Sequence, residues 1–269
     1  MIKDYDTRAD VSGVRVKSNY HTHNYLCGHA GGEVCDYVAE AVRCGFEVIG
    51  ISDHCVPPVG SYEPYITSSV LEAKYLSQFE PARELYGDKI KILSAVEIEY
   101  FAGHDDYYRD LLTKLDYLVL GQHEYMNGDL RCNSFCDGVT TGDIVAYCKC
   151  VKAGLKTGFF SVFAHPDLIF YQRPHITSEM ARAFDGMIKT AVECGVAVEL
   201  NANGIRYHGF RYPTDLLIDT CKKYDAPVVV SSDAHNLKYL NDEYTRGMLK
   251  YAQEHGLNVI DQIKLPEHF

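Results

Sequence analysis

Three histidines fall within nine residues in Asn19-Tyr20-His21-Thr22-His23-Asn24-Tyr25-Leu26-Cys27-Gly28-His29-Ala30, and the first two are separated by a single residue. They follow the alternating run Val14-Arg15-Val16-Lys17. In an extended strand, side chains two apart share a face, so His21 and His23 would present two imidazoles to one point. Imidazole is the commonest side-chain metal ligand, and a pair of them on a strand end is the beginning of a metal site.

Other strand-like segments end in the same kinds of residue. The chain reads Ser52-Asp53-His54, Glu97-Ile98-Glu99, Gly121-Gln122-His123-Glu124, Ala164-His165-Pro166-Asp167 and Ser232-Asp233-Ala234-His235. Of the 12 histidines, seven (His21, His23, His29, His54, His123, His165, His235) lie at expected strand ends or just after them. The other five, His104, His175, His208, His255 and His268, fall in loops, helices or the tail and are read as ordinary polar residues. Asp53, Asp167 or Asp233 could alternatively cap the turn or helix that follows. Glu97 and Glu99 share a face, and either could carry a metal-bridging carboxylate. With Glu97 and Asp233, the seven histidines make nine candidate ligands. One zinc-like ion in an open site takes about three or four protein ligands, so nine imply two or three ions sharing bridges. Imidazole and carboxylate without thiolate suit zinc, manganese or iron.

The elements that must position these residues can be read from periodicity. Apolar, β-branched runs of strand length recur at 14–20, 46–51, 90–96, 117–120, 159–164, 196–200 and 228–231. Helix-patterned segments lie at 34–44, 70–85, 105–115, 141–153, 178–194, 214–224 and 240–255. Gly45, Gly154 and Gly195 stand where helices should stop, and Thr214-Asp215 after Pro213 is a helix start. Strand and helix thus alternate seven times, which implies parallel strands joined by crossovers. Ligands at nearly every strand end favour a barrel, where chemistry gathers at the carboxyl ends of many strands, over an open sheet. The expected fold is an α/β, (β/α)7 TIM-like barrel, one domain over residues 1–269.

Composition narrows the partners. With 26 basic and 37 acidic residues the net charge is −11, which disfavours a long polyanion as substrate, so no nucleic-acid partner is expected. No apolar run is long enough to cross a bilayer and the N-terminus lacks a signal-peptide core, so the expected location is the cytoplasm, away from any membrane. The ten cysteines contain no Cys-x-x-Cys pair and are read as reduced thiols.

In order along the chain, His-x-His with a third His, Ser-Asp-His, Glu-Ile-Glu-Tyr, Gly-Gln-His, Ala-His-Pro-Asp-Leu, Glu-Leu-Asn-Ala-Asn-Gly-Ile-Arg and Ser-Asp-Ala-His resemble the polymerase and histidinol phosphatase (PHP) family, and within it the histidinol-phosphate phosphatases. The resemblance runs from residue 20 to 235. It implies a distorted seven-stranded barrel with a trinuclear metal centre. It further implies that His21 and His23 hold a first metal with Glu97 and Asp233, that Glu97 bridges to a second bound by His123 and His165, and that His29, His54 and His235 hold a third. Many members carry Asp at the position of His29, so an imidazole there makes this site less anionic.

The activity expected on these grounds is hydrolysis of L-histidinol phosphate to L-histidinol and phosphate, a step of histidine biosynthesis, by in-line attack of a metal-bridging hydroxide. Glu97, Asp233, His235 and Arg206 are expected to act in catalysis. Arg206, in Asn201-Ala202-Asn203-Gly204-Ile205-Arg206, is the expected phosphate clamp because a guanidinium matches phosphate oxygens with a planar fork. Arg173 and Asn201 are further substrate-binding candidates. The substrate's ammonium could meet Glu99, Glu124 or Asp167. Two other readings are a PHP phosphoesterase acting on nucleotides, phosphotyrosine or nucleic acid, and a non-catalytic metal-binding module.

Overall fold

A computed structural model of the chain describes residues 2–59, 65–136, 138–173, 175–207, 209 and 211–266. In chain order the described strands are β1 (Ser18–Asn19), β2 (Val48–His54), β3 (Lys91–Ile98), β4 (Tyr117–Leu120), β5 (Glu124–Asn127), β6 (Leu130–Asn133), β7 (Phe160–Phe163), β8 (Ala197–Asn201) and β9 (Val228–Ser231). Seven of them form one sheet in the order β1-β2-β3-β4-β7-β8-β9, every pairing parallel. The sheet curls into a nearly closed barrel. At its seam Thr22 and Ala234 form an isolated parallel bridge, the His23 N–H donates to the Ala234 carbonyl at 3.0 Å, and the Ser232 N–H donates to Asn19 Oδ1 at 2.7 Å.

Parallel strands are covered on both faces, which is why β2 and β3 read as near-continuous apolar runs. Alternate residues divide between two cores. Val48, Leu93, Ala95, Tyr117, Val119, Val162, Ala197 and Val229 pack together on the inner face, with Ile260, Ile263 and Leu265 of the C-terminal tail against them. Gly50 leaves space there for the Tyr117 hydroxyl, which a Cβ would strike. Ile49, Ile51, Ile92, Val96, Ile98, Leu118, Leu120, Phe163, Val198 and Leu200 face outward into the larger core beneath the helices. The main helices are Val34–Cys44, Phe79–Tyr86, Asp105–Leu112, Thr141–Leu155, Ser178–Glu193, Asp215–Lys223 and Glu243–Glu254. Among the described residues, no helix is long and apolar enough to cross a membrane. The ten cysteines are unbridged.

Three local expectations are corrected. The first strand is shorter than expected, Ser18–Asn19, paired with β2; beyond it the chain meets the segment after β9 at the Thr22–Ala234 bridge. The helix expected at 70–85 is a succession of short turns, Ser68–Val70, Leu71–Tyr75 and Leu76–Gln78, before the regular segment Phe79–Tyr86. The segment after β4 contains an antiparallel hairpin, β5 with β6, turned at Asn127-Gly128-Asp129-Leu130 with Gly128 at φ 62°. The Asn-Gly pair is the local signal for it.

Candidate metal centre

Glu97 is placed by simple periodicity. The inner face of β3 runs through Leu93 and Ala95, so Glu97 follows on that face at the carboxyl end, and the β2–β3 register sets it directly beside His54. Its Oε2 lies 3.1 Å from His21 Nε2, 3.6 Å from His23 Nε2 and 3.0 Å from His54 Nδ1. Its Oε1 lies 2.7 Å from His165 Nε2 and 3.4 Å from His123 Nε2. Five imidazoles from four strand ends therefore surround one carboxylate. Gly121, at the end of β4, makes room for it, since a Cβ at that position would collide with the Glu97 side chain.

Asp233 supplies a second anionic focus. Its Oδ1 is 3.1 Å from His23 Nε2, 3.7 Å from His21 Nε2 and 3.5 Å from His235 Nδ1. His29 and His235 face each other with their Nε2 atoms 3.1 Å apart, while His29 Nδ1 lies 2.9 Å from the Cys27 carbonyl. All nine candidate ligands thus come together in one basin. His165 and Asp233 reach it with φ of 30° and 47°. Left-handed backbone costs a non-glycine residue about 1–2 kcal/mol, and it recurs where function dictates side-chain direction.

The donor set fits divalent cations. His21 Nε2, His23 Nε2, Glu97 Oε2 and Asp233 Oδ1 are all buried without a hydrogen-bond partner, and they face one another. Buried polar atoms are ordinarily paired, and a cation at their meeting point would satisfy all four at once. The ligand atoms of His21, His23 and Asp233, of His21, Glu97 and His165, and of His23, His54 and His235 lie within 4.8 Å of one another in each group. The electrostatics agree. Burial raises the proton affinity of Glu97, but His21, His123 and His54 around it hold it well below the usual carboxylate range. Burial keeps His54 and His235 neutral, His235 down to about 3, so their lone pairs are available. Burial also lowers His21, yet Glu97, Asp233 and Glu199 together push it well up, drawing a positive charge to the place where a cation would sit.

Three buried carboxylates stand behind the imidazoles. Glu199 Oε1 is 2.8 Å from His21 Nδ1, Asp53 Oδ1 is 3.4 Å from His23 Nδ1, and Glu99 Oε1 is 3.1 Å from His123 Nδ1. Such partners orient a ligating ring and fix which nitrogen bears its proton. From the sequence Glu199 has no assigned role, Asp53 could serve as a cap, and Glu99 is open to a bridging position or to the substrate's ammonium. The available signal was an acidic residue inside an otherwise apolar strand, as in Ala197-Val198-Glu199-Leu200, which needs a buried partner.

The expected substrate contacts are redistributed. Arg206 does not reach the basin. Its side chain is 3% exposed and forms a pair with Asp242, Nε to Oδ2 at 2.6 Å and Nη2 to Oδ1 at 2.9 Å. Nη1 donates to Asn203 Oδ1 and the Ser232 carbonyl, and Nη2 also meets the Tyr239 carbonyl and Thr245 Oγ1. A guanidinium has five N–H groups, and these contacts use them inside the protein. Arg206 thus ties the β8 loop to the loop before the last helix, a correction to the phosphate-clamp expectation. Asn201 is buried and donates to Glu199 Oε2 at 2.9 Å and Asp233 Oδ2 at 3.0 Å, bracing carboxylates rather than contacting a ligand. Arg173 lines a separate cavity of about 590 Å³ with Tyr171, Gln172, Arg211 and Thr214, which holds none of the nine candidates. Glu124 is paired with Arg131, and Asp167 is buried and accepts the Thr214 N–H. Burial pushes the Asp167 carboxyl up to about 6.

Of the histidines set aside, His104 precedes the helix Asp105–Leu112, His175 is exposed, and His255 stacks on Tyr251. His208 and His268 lie outside the described residues.

The basin itself opens into a cavity of about 300 Å³ lined by His29, His54, Tyr65, Glu97, His123, Asn133, Phe135, His165, Asn203, Tyr212, Asp233 and His235. The β5–β6 hairpin, absent from the expected elements, brings Asn133 and Phe135 to its edge.

The model of the PHP domain family matches residues 19–203, over half of the chain. The chain belongs to the PHP family. Asp233 and His235 lie beyond the matched segment, yet they close the same basin as the PHP histidines before them. A histidinol-phosphatase from Bacillus subtilis (strain 168) is 23% identical over 250 residues, covering 81% of this chain and 93% of that protein. A Shewanella oneidensis protein named "Probable phosphatase" is 23% identical over 221 residues, covering 80% of this chain and 75% of its own. In fold, the chain is similar to the histidinol phosphate phosphatase of Lactococcus lactis, solved with zinc, L-histidinol and phosphate. The TM-score is 0.69 at 16% identity, over 93% of this chain and 99% of that one. These relatives are named histidinol-phosphatase or probable phosphatase, and the His, Asp and Glu groups of this basin suit divalent metals.

Proposed function

We propose that residues 1–269 form one PHP-type metallophosphatase domain that hydrolyses L-histidinol phosphate to L-histidinol and phosphate. The observation that carries this reading is the ring of five imidazoles about Glu97, set at the floor of a cavity sized for a small molecule. His21, His23, Glu97 and Asp233 would hold one divalent ion, Glu97 with His123 and His165 a second, and His29, His54 and His235 a third. Zinc, manganese and iron all suit such ligands. Divalent ions there would lower the pKa of bound water and offset charge on phosphoryl oxygens.

The chain's own residues do the rest. The two oxygens of Glu97 face different histidines, Oε1 toward His123 and His165 and Oε2 toward His21, His23 and His54, as a bridging carboxylate requires. Phe135 lies over His123 with ring centres 6.1 Å apart, and Tyr65 stacks on His54 at 4.5 Å, so the cavity wall is aromatic beside its polar floor. An aromatic wall suits the flat imidazole ring carried by the leaving alcohol, L-histidinol. A cavity of about 300 Å³ and a net charge of −11 favour a small monoester over a polymer. The similarity to the named histidinol-phosphatases adds the substrate.

A panel of L-histidinol phosphate, nucleoside monophosphates, phosphotyrosine and single-stranded DNA, assayed for phosphate release with added divalent metal, tests the specificity. The expected kcat/KM for histidinol phosphate exceeds the others by about two orders of magnitude, a margin that a site pairing with substrate polar groups reaches. Equal or faster turnover of a nucleotide or phosphotyrosine would displace the substrate assignment, and cleavage of DNA would move the protein to another branch of the family.

A further inference from the structure

Strand β8 brings no candidate ligand into the basin, yet its Glu199 touches two of the nine candidates directly and reaches a third through Asn201. It is fully buried. Oε1 lies 2.8 Å from His21 Nδ1, and Oε2 accepts the backbone N–H of His165 at 2.8 Å and Asn201 Nδ2 at 2.9 Å. Asn201 in turn donates to Asp233 Oδ2 at 3.0 Å. One carboxylate therefore ties together ligand candidates from β1, β7 and β9.

We propose that Glu199 is a positioning residue that sets the centre's geometry before any metal enters; the inference rests on the metal reading above. By accepting from Nδ1, Glu199 requires the His21 proton to sit on that nitrogen, which leaves the Nε2 lone pair directed at Glu97 and Asp233. By accepting from the His165 amide, it holds the left-handed turn that aims that ring at Glu97 Oε1. By fixing Asn201, it orients Asp233, whose Oδ2 is occupied and whose Oδ1 faces His23. Each contact needs a group that accepts at both oxygens. Glutamine has the same shape but must place its NH2 either against the two donors at Oε2 or against His21 Nδ1, where it would force the ring proton onto the ligating nitrogen.

The test uses chelator-stripped full-length protein, wild type beside Glu199→Gln, Glu199→Asp and Glu199→Ala, titrated with zinc by calorimetry. Histidine ring 15N–1H spectra of the zinc-loaded forms and melting curves of the metal-free forms accompany it. The expected result is wild-type zinc binding, with affinity reduced about 10- to 100-fold in Glu199→Gln, and a protected His21 Nδ1 proton present in wild type and lost in the variant. The metal-free Glu199→Gln protein is expected to melt cooperatively like wild type, separating positioning from folding. Glu199→Asp is expected to recover part of the affinity. Wild-type zinc affinity in both Glu199→Gln and Glu199→Ala would overturn the inference, as would a His21 Nδ1 proton that survives in Glu199→Gln. If Glu199→Ala fails to fold, Glu199→Gln decides alone. Failure of the wild-type protein to bind zinc, manganese or iron would instead overturn the metal reading beneath it.

Discussion

Replacing Glu97 with glutamine is expected to lower phosphate-ester turnover by about a thousandfold and to release metal from the protein. The substitution keeps the volume and removes the charge at the point where five imidazoles meet. In the proposed centre Glu97 bridges two ions, so its loss would weaken both. Several kcal/mol of transition-state stabilisation attach to metal-assisted charge neutralisation, and each 1.4 kcal/mol is about a factor of ten. The barrel core beneath Glu97 is untouched by the change, so the variant's near-ultraviolet circular dichroism should match wild type. Metal analysis and steady-state kinetics on one preparation check the expectation. A Glu97→Gln protein with full metal content and full turnover would remove Glu97 from the centre.

Replacing Arg206 with alanine should act on stability rather than on chemistry. Its guanidinium and the Asp242 carboxylate are 3% and 8% exposed, and removing one partner of a buried pair leaves the other's charge uncompensated at a cost of about 3–5 kcal/mol. For a chain of this size each 1 kcal/mol lowers Tm by about 2–4 °C, so a fall on the order of 10 °C is expected. Activity per folded molecule, measured well below that temperature, should stay close to wild type in both kcat and KM. The double variant Arg206→Ala with Asp242→Asn should recover part of the lost stability, because the stranded charge is gone. An unchanged melting temperature with a raised KM would restore Arg206 to the role of phosphate anchor.

What sequence could and could not reach follows from range. Strand ends are local, and a histidine or acid at the close of an apolar run is visible wherever it occurs. The parallel alternation then says that those ends meet, which is how His21, His54, Glu97, His123, His165 and Asp233 could be grouped before any coordinates. Register adds the detail that His54 sits beside Glu97, and register is a property of two strands at once. Partner choice is equally non-local. Arg206 looks like a ligand-binding arginine because Asp242, Thr245 and the Tyr239 carbonyl, which engage it, lie 33 to 39 residues further on. Asn201 and Glu199 share that fate, since their partners His21, His165 and Asp233 follow β1, β7 and β9. The β5–β6 hairpin was legible in Asn127-Gly128 but was overshadowed by the alternation on either side, and with it went the approach of Phe135 to the cavity.

The central claim is that this basin is a metal centre that hydrolyses a small phosphate monoester. It is tested most directly by measuring metal content and phosphate release from L-histidinol phosphate on the same purified sample, before chelation, after it, and after adding back zinc, manganese or iron singly. The expected result is two to three equivalents of divalent metal per chain, loss of turnover on chelation, and recovery with at least one of the ions. Protein that carries no metal, takes none up and gains no activity with any of the three would contradict both the centre and the reaction assigned to it.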